Sequence, residues 1–158
     1  VCDTMNFWIE NRRRELEELI TRVDCLLLND SEARQLAGEP NLIAAGRKLQ
    51  SMGPRRVIIK KGEHGVIMLG ENSYFSLPAY PLETVFDPTG AGDSFGGGFL
   101  GALAREPELS EEAIRRAVVY GSVVASFAVE SFSCDRLRSL SVEEIRARYD
   151  EFMEITCF

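Results

Sequence analysis

The chain has 158 residues, a formal net charge of −7 and 45% hydrophobic residues, which is ordinary for a globular domain or a substantial part of one. The acidic balance argues against a broad surface for nucleic acid or anionic membrane, and no apolar run approaches the length of about 18 residues expected of a transmembrane helix. Four scattered cysteines without C-x-x-C spacing predict reduced thiols in a cytoplasmic protein, and no zinc site. Because the chain opens at Val1, on residues typical of the end of a strand, we expect a piece of a longer protein.

Strands and helices alternate through the first part of the chain. In chain order, the expected elements are a strand ending at residues 1–3, a helix over 9–23, a strand over 23–28, helices over 29–37 and 40–52, and a strand over 56–60. Thr4 or Asn6 is expected to cap the first helix, Gly38 to end the second helix, and Pro40 to open the third. The two later strands are short apolar runs, which is typical of strands buried on both faces of a sheet.

The second part begins with a hairpin and continues into helices. It predicts strands over 66–69, 73–76 and 84–87, a helix ending near Arg105, a helix capped by Ser110, and a last helix over 141–152 that opens with a capping box of Ser141 and Glu144. Strands alternating with helices imply an α/β fold with a mainly parallel sheet and a small β-hairpin. We expect one α/β region over residues 1–158.

The stretch from Asp87 to Phe99 joins turn residues to the start of a helix. The helix that follows contains four glycines, Gly96, Gly97, Gly98 and Gly101. Each costs about 1 kcal/mol relative to alanine, so we expect another group to approach this backbone closely. A glycine turn that leads into a helix leaves backbone N–H groups unpaired beside the positive end of the helix dipole. This arrangement predicts an anion-binding site that begins near Gly90.

Asp93 follows that turn directly. A carboxylate in this place can accept a proton from a hydroxyl held next to it, while the amides of Gly90, Ala91 and Gly92 stabilise charge on a transferred phosphoryl group. A general base beside an anion hole suits phosphoryl transfer to an alcohol, with a metal ion sharing the charge. A plain glycine turn with Asp93 as a first-turn carboxylate explains the same residues, and this pattern alone leaves both interpretations open.

Other catalytic motifs fit less well. Residues 92–96 match the G-x-S-x-G pattern of serine hydrolases, with Ser94 as the nucleophile. That chemistry needs a histidine after the serine, whereas the only histidine, His64, precedes it in a hairpin turn. There is no G-x-x-x-x-G-K-[ST] motif, and Phe95 stands where a dinucleotide-binding turn needs its third glycine. The sequence therefore disfavours a hydrolase, a P-loop enzyme and a dinucleotide-binding site.

The nine residues Asp87-Pro88-Thr89-Gly90-Ala91-Gly92-Asp93-Ser94-Phe95 resemble the second signature of the ribokinase-like (PfkB-type) carbohydrate kinases. Two further pieces follow the order of that family: residues 29–32 resemble its N-x-x-E motif, and residues 60–65 resemble its nucleotide-side strand and turn. The resemblance implies the C-terminal half of a three-layer αβα sandwich. The N-terminal half, with the family's first glycine signature, lid and most sugar contacts, has no counterpart here.

The resemblance also implies roles, with ATP and Mg²⁺ as cofactors and a monovalent cation such as K⁺ as an addition. Asp93 would be the catalytic base and the amides of residues 90–92 the anion hole. The remaining roles are Asn29 and Glu32 in the magnesium, water and phosphate network, Lys60, Gly62 and Gly65 near the nucleotide, Val118 and Ser122 along the adenine pocket, Asp87 and Thr89 at the monovalent cation, and Asp3 and Asn6 near the substrate. Asn29 with Glu32 equally fits a capping box without ligands, and the apolar stripe of Val118 equally fits ordinary packing.

Two hypotheses of different classes result. In the first, the chain is the nucleotide-binding, catalytic-base half of an ATP-dependent kinase for a small sugar, with a nucleoside as the alternative acceptor. In the second, it is a non-catalytic fragment that binds nucleotide and turns over nothing. Half of a parallel sheet would expose an edge strand, so we expect association with the missing half or with another copy, and no nucleic-acid or membrane partner.

Overall fold

A computed structural model of the chain describes residues 1–157 and divides into two compact units. The first unit comprises Val1–Ser76, and the second begins at Leu77. Each unit is described by itself.

The first unit is built on a five-stranded sheet. Its elements are β1 (Cys2–Asp3), α1 (Asn6–Asn11), α2 (Arg13–Ile20), β2 (Cys25–Asn29), α3 (Asp30–Ala37), α4 (Leu42–Gln50), β3 (Arg56–Lys60), a 3₁₀ turn (Gly62–His64), β4 (Val66–Leu69) and β5 (Tyr74–Leu77), whose last residue already belongs to the second unit. The sheet order is β1-β2-β3-β4-β5. β1, β2 and β3 run parallel, whereas β4 is antiparallel to β3, so the sheet is mixed rather than uniformly parallel.

β2 and β3 form the buried centre of this sheet. Residues 26–28 of β2 and 57–59 of β3 are at most 1% exposed, which confirms the prediction of strands buried on both faces. Burying each such side chain contributes about 1.5–3 kcal/mol, so these two strands anchor the unit. Side chains on one face of the sheet join residues of the helices in a single core cluster, which includes Ile9, Leu16, Ile20, Leu26, Leu28, Leu36, Leu49, Val57, Ile59 and Leu69.

The helix predicted over residues 9–23 is two helices. The chain leaves helical geometry at Arg12, with φ −138° and ψ 39°, and neither Thr4 nor Asn6 caps α1, because its N-cap is Met5 and no side chain caps it. The three consecutive arginines at residues 12–14 interrupt the apolar stripe that would keep a single straight helix packed on the core. Arg13 instead donates to the carbonyl of Leu36 at 2.6 Å, a tertiary contact that the sequence pattern does not reveal.

The start of α1 presents aromatic side chains to solvent. Trp8, the only tryptophan of the chain, is 44% exposed, and its ring meets that of Phe7 edge to face with centroids 5.1 Å apart. Ile9, on the opposite side of the helix, is buried. The helix therefore packs on the first unit through one apolar face, and Glu10 Oε1 accepts a hydrogen bond from Gln35 Nε2 at 3.2 Å.

The boundaries of α3 agree with the prediction and those of α4 differ from it. Gly38 ends α3 in the left-handed region with φ 63°, as a C-cap glycine does. Pro40 does not open α4. Asn41 is the N-cap, and its side chain accepts hydrogen bonds from the N–H groups of Ile43 and Ala44 at 3.1 and 3.0 Å. An asparagine that satisfies two free amides therefore determines where α4 begins.

The second unit is helical in its described part. Its elements are α5 (Ala91–Leu103), α6 (Glu111–Ala128), α7 (Asp135–Arg138) and α8 (Val142–Thr156). The predicted strand over residues 84–87 is wrong. This segment pairs with no strand, and the N–H of Phe86 donates instead to the carbonyl of Val129 at 2.8 Å, just after α6. Within residues 1–157, no helix is both long and apolar enough to cross a membrane.

Glycines bring α5 and α6 into close contact. A Cβ added at Gly98 would lie 2.9 Å from the Cβ of Val124, and one added at Gly121 would lie 2.9 Å from the carbonyl oxygen of Phe95. The close approach that the glycines of α5 predict is therefore explained in part by α6, which packs against them. A Cβ at Gly97 would meet nothing within 4 Å, so the opposite side of α5 is open within the chain.

A network of charges and rings ties α6 to α8. Glu130 pairs with Arg136 at 3.2 Å and with Arg148 at 2.5 Å. Both guanidinium groups also lie over the ring of Phe127, with Arg148 3.4 Å from its centroid. The predicted capping box of Ser141 and Glu144 is present at the start of α8, which runs beyond the predicted end at Phe152 to Thr156.

Candidate functional site

Predicted site residues meet at the carboxyl ends of the parallel strands. Asp3 is the last residue of β1, Asn29 of β2 and Lys60 of β3, and Asn29 lies in register with Lys60. The carboxyl ends of neighbouring parallel strands share one edge of a sheet, which is where open α/β sheets commonly bind ligands. The first unit therefore brings together Asp3, Asn29, Glu32 and Lys60, which we call the strand-end cluster.

An ion pair spans this cluster. The Lys60 ammonium donates to Asp3 Oδ2 at 2.6 Å, and the side chains of Lys60 and Asp3 are 16% and 32% exposed. The other carboxylate oxygen, Asp3 Oδ1, accepts the backbone N–H of Thr4 at 2.9 Å. Asp3 thus has a defined partner for each oxygen. No sequence pattern indicates this pair, because the two residues are far apart along the chain.

Asn29 and Glu32 form a complete capping box at the start of α3. Asn29 Oδ1 accepts the N–H of Glu32, and Glu32 Oε2 accepts the N–H of Asn29, both at 2.8 Å. Glu32 is only 6% exposed. Desolvation raises the pKa of its carboxyl, while the Asn29 amide and the Lys60 charge act in the opposite direction.

Other predicted residues of the first unit lie in the turn after β3 and at the start of α1. Gly62 and Gly65 both have positive φ values, 56° and 83°, which glycine adopts without strain. They form a tight turn in which the N–H of Lys61 donates to the carbonyl of Gly65 at 2.7 Å. Asn6 is exposed at the first residue of α1.

The glycine turn of the second unit precedes α5. Gly90 is the N-cap in the left-handed region, with φ 81° and ψ 0°, and no side chain caps the helix. The N–H of Ala91 is engaged by the carbonyl of Pro88 at 3.2 Å. The N–H groups of Gly92 and Asp93 donate to no acceptor in the described chain, and the Asp93 side chain is exposed in the first turn. The free backbone N–H donors at the start of α5 therefore include those of Gly92 and Asp93, but not that of Ala91.

Asp87 organises the loop before the turn. Its Oδ1 accepts the N–H of Thr89 at 2.9 Å, and this bond, with a smaller contribution from the backbone of Ser133, lowers the pKa of the carboxyl. Ser133 itself has an unusual φ of 56° for a non-glycine residue. Sequence inspection missed Ser133, because nothing in its neighbours signals a left-handed backbone. In the described chain no three His, Cys, Asp or Glu side chains group together as metal ligands do.

The remaining predicted residues lie on α6, and the competing hydrolase motif gains no support. Val118 is fully buried and Ser122 is half-buried. His64 is exposed in the first unit, where its Nε2 lies 3.7 Å from Oε1 of Glu63.

An α/β fold with charged residues at its strand ends, and a separate helix that begins at a free glycine turn, is typical of enzymes that bind phosphates. Residues 4–139 match the pfkB family of carbohydrate kinases, and the chain belongs to that family.

Relatives of the chain include sugar and nucleoside kinases. It is 39% identical over 102 residues to the cytidine kinase of Thermococcus kodakarensis, a match that covers 63% of this chain and 36% of that kinase. The crystal structure of aminoimidazole riboside kinase from Salmonella enterica, complexed with aminoimidazole riboside and an ATP analog, is similar with a TM-score of 0.79 and 23% identity, covering 89% of this chain and 46% of that one.

A double mutant of fructokinase from Vibrio cholerae O395, with fructose, ADP and a potassium ion bound, is similar with a TM-score of 0.80 and 19% identity. The match covers 87% of this chain and 44% of that one. At these identities the two structures show the fold alone. The chain spans between about a third and a half of the length of these relatives.

Proposed function

We propose that this chain is the nucleotide-side, catalytic-base part of an ATP-dependent kinase that phosphorylates a hydroxyl of a small sugar. The observation that carries the proposal is the start of α5, where unpaired backbone N–H groups and an exposed carboxylate, Asp93, occupy consecutive positions. Membership of the pfkB family supports it.

The chemistry is an in-line displacement. The oxygen of the acceptor hydroxyl bonds to the γ-phosphorus of ATP while the bond from that phosphorus to the bridging oxygen breaks, so ADP leaves. Asp93 takes the hydroxyl proton. The free amides at the start of α5 stabilise the charge on the transferring phosphoryl oxygens, and the helix dipole adds to their effect.

The strand-end cluster suits a magnesium–nucleotide complex. Hard divalent cations prefer oxygen ligands, and Glu32 supplies a carboxylate beside the ordered Asn29 side chain. Bound Mg²⁺ would neutralise charge on the phosphates. We propose that Asn29 and Glu32 hold its water network and that Lys60, Gly62 and Gly65 lie along the nucleotide.

The remaining assignments are proposed with their local support. Ser122 is half-buried, as a residue bordering an adenine pocket would be, and Val118 would support that wall from the core. Asp87 and Thr89 are proposed for a monovalent cation, supported by the ordered Asp87 carboxylate and the potassium ion of the similar fructokinase. Asn6 remains the predicted substrate-side residue.

A nucleoside is the second candidate acceptor. The cytidine kinase relative, at 39% identity, favours it. Because the chain spans 36% of that kinase, we also propose that the substrate half of a three-layer αβα domain with a mainly parallel sheet lies outside these residues, in a cytoplasmic protein. The 158-residue chain alone would then bind nucleotide without turnover, and would associate with that half or with itself.

The test is phosphoryl transfer from γ-labelled ATP by the full-length kinase, meaning the complete protein proposed here, to ribose, fructose, cytidine and adenosine. Asp93→Ala should lower kcat by about 10²–10⁴-fold, the contribution of a general base, and leave Mg·ATP binding nearly unchanged. Asp135→Ala, which removes an exposed first-turn aspartate from α7, is the matched control and should retain activity. Undiminished turnover by the Asp93 variant would exclude the base assignment.

A further inference from the structure

We propose that Asp3 is a positioning residue: it holds the Lys60 ammonium at the strand ends, so that the remaining Lys60 donors contact the nucleotide phosphates. This inference rests on the proposed kinase function. It gives Asp3 a role different from the substrate contact that the sequence predicted.

The positions of the two residues in the sheet make their pairing informative. Asp3 ends β1 and Lys60 ends β3, so the ion pair crosses the end of β2, which lies between them. Neighbouring strands are about 4.8 Å apart, which places the two backbones about 10 Å from one another. The lysine and aspartate side chains, with the 2.6 Å bond between them, span this distance together. The ion pair therefore lies across the end of β2, where Asn29 caps α3.

The Asp3 carboxylate is fixed at both oxygens. The N–H of Thr4 donates to Oδ1 at 2.9 Å, and Lys60 Nζ donates to Oδ2 at 2.6 Å. The hydrogen bond from the backbone to one oxygen restricts rotation of the carboxylate. It therefore specifies one place for the ammonium.

Lys60 has donors to spare. Its side chain is only 16% exposed, and a charge so largely removed from water needs a partner, which Asp3 supplies. An ammonium has three N–H donors, and Asp3 uses one of them. A compact positive charge with two remaining donors suits phosphoryl oxygens.

Asp3 also keeps Lys60 from its other neighbouring carboxylate. The charges of Lys60 and Asp3 both act on Glu32, in opposite directions, so the three groups form one electrostatic cluster. If Asp3 lost its charge, Glu32 would become the available partner for Lys60. The lysine would then turn away from the nucleotide and bind the Glu32 carboxylate, which we assign to the magnesium network.

The experiment measures the Kd of Mg·ADP and the KM of the acceptor in the full-length kinase, in four test variants and in one control variant. Asp3→Asn keeps the size of the side chain and removes its charge, and we expect Mg·ADP to bind about tenfold more weakly while the acceptor KM stays constant. Asp3→Glu should restore part of the affinity. Lys60→Met should weaken Mg·ADP to a similar degree, and the double variant should show little further loss, because the two residues act as one unit.

Asp24→Asn is the matched control. It removes the same charge from an exposed aspartate that lies just before β2, at the opposite end of the strand, where it pairs with Arg55 at 3.7 Å. We expect no change in either constant for this variant.

Each alternative result has a defined meaning. A raised acceptor KM with unchanged Mg·ADP affinity in Asp3→Asn would restore the substrate contact and overturn the positioning role. A lowered melting temperature with both constants unchanged would make the pair purely structural and overturn it too. Additive losses in the double variant would show that Asp3 does not act through Lys60. If the unsubstituted kinase bound no Mg·ADP, the proposed function would fail, and this inference with it.

Discussion

Gly98 of α5 and Val124 of α6 mark a point where the two helices are too close for another side chain. A Cβ at Gly98 would lie 2.9 Å from Val124 Cβ and 3.0 Å from the carbonyl oxygen of Tyr120. Interiors are packed too densely to absorb such an overlap without a shift of backbone. The glycine-rich start of α5 therefore has a packing role in the second unit, separate from any ligand.

Gly98→Ala should destabilise the second unit by about 1–3 kcal/mol, because the added methyl group forces α5 and α6 apart. Gly97→Ala is the matched control: its Cβ would meet open space, so the better helix propensity of alanine should raise stability by up to about 1 kcal/mol. Urea unfolding followed by circular dichroism measures both. Equal effects of the two substitutions would contradict the close helix contact.

Glu32→Gln separates capping from metal binding. Glutamine is also suited to the N3 position of a capping box, so the free energy of unfolding should change by less than about 0.5 kcal/mol. The charge at the strand-end cluster is lost, so the Mg²⁺ concentration required for half-maximal kinase activity should rise at least about tenfold. Unchanged magnesium dependence would leave Glu32 with a structural role only.

Asn29→Ala should have the complementary effect on stability. It removes the side chain that accepts the N–H of Glu32, and losing such a cap costs about 1 kcal/mol. Asn29→Ser, which retains a capping oxygen, should recover most of that loss. Thermal unfolding of the two variants provides the comparison, and equal melting temperatures for both would show that the cap contributes little.

The sequence predicted elements whose signals are local. Gly38, Ser110 and the box of Ser141 with Glu144 were assigned correctly, because a cap is decided by residues within one turn. The same holds for the two buried strands. The break at Arg12 and the absence of a strand at residues 84–87 depend on contacts with Leu36 and Val129, which lie far along the chain. Local pattern carries no information on such contacts.

The residues of the candidate site also differ in whether a local sequence motif indicates them. Asn29, Glu32 and the turn from Gly90 to Asp93 could be assigned from contiguous motifs. The pairing of Asp3 with Lys60 could not, because it arises only when β1 and β3 flank β2 in one sheet. The role of Ser133 beside Asp87 was missed for a related reason, since its left-handed backbone is a property of the folded loop.

Acid should destabilise the second unit through Glu144. The pKa of this carboxyl is lowered from 4.5 to about 2. The largest cause is the hydrogen bond that the carboxylate accepts from the backbone N–H of Ser141, and the second is the hydrogen bond from Arg136. A depressed folded-state pKa contributes stability above the unfolded value, and that stability is lost as pH falls from about 4.5 through 2. Glu144→Gln should lower the melting temperature at pH 7 and flatten its pH dependence across this window.

Glu143→Gln is the control for the substitution itself. It removes the same charge from the neighbouring, exposed first-turn glutamate of α8 and should lower the melting temperature at pH 7 less than Glu144→Gln does. A Glu144→Gln variant with the same slope as the unsubstituted protein would contradict the depressed pKa.

The four thiols should differ sharply in reactivity. Burial raises the pKa of the Cys25 thiol to about 12, so almost none of it is thiolate at neutral pH. Cys134 and Cys157 are exposed. We expect a thiol-specific reagent at pH 7.5 to modify these two first and Cys25 only after unfolding, as peptide mapping would show. If Cys25 were modified as fast as Cys134 in the folded protein, the buried position of β2 would be contradicted.

Trp8 gives the first unit an optical signal of its own. It is the sole indole of the chain and sits half-exposed beside Phe7, whereas three of the four tyrosines, Tyr80, Tyr120 and Tyr149, are in the second unit. Indole emission during denaturation therefore reports on one unit, and tyrosine ellipticity reports mainly on the other. Two curves with different midpoints would mean that the halves of this chain melt as separate cooperative blocks, each with its own stability.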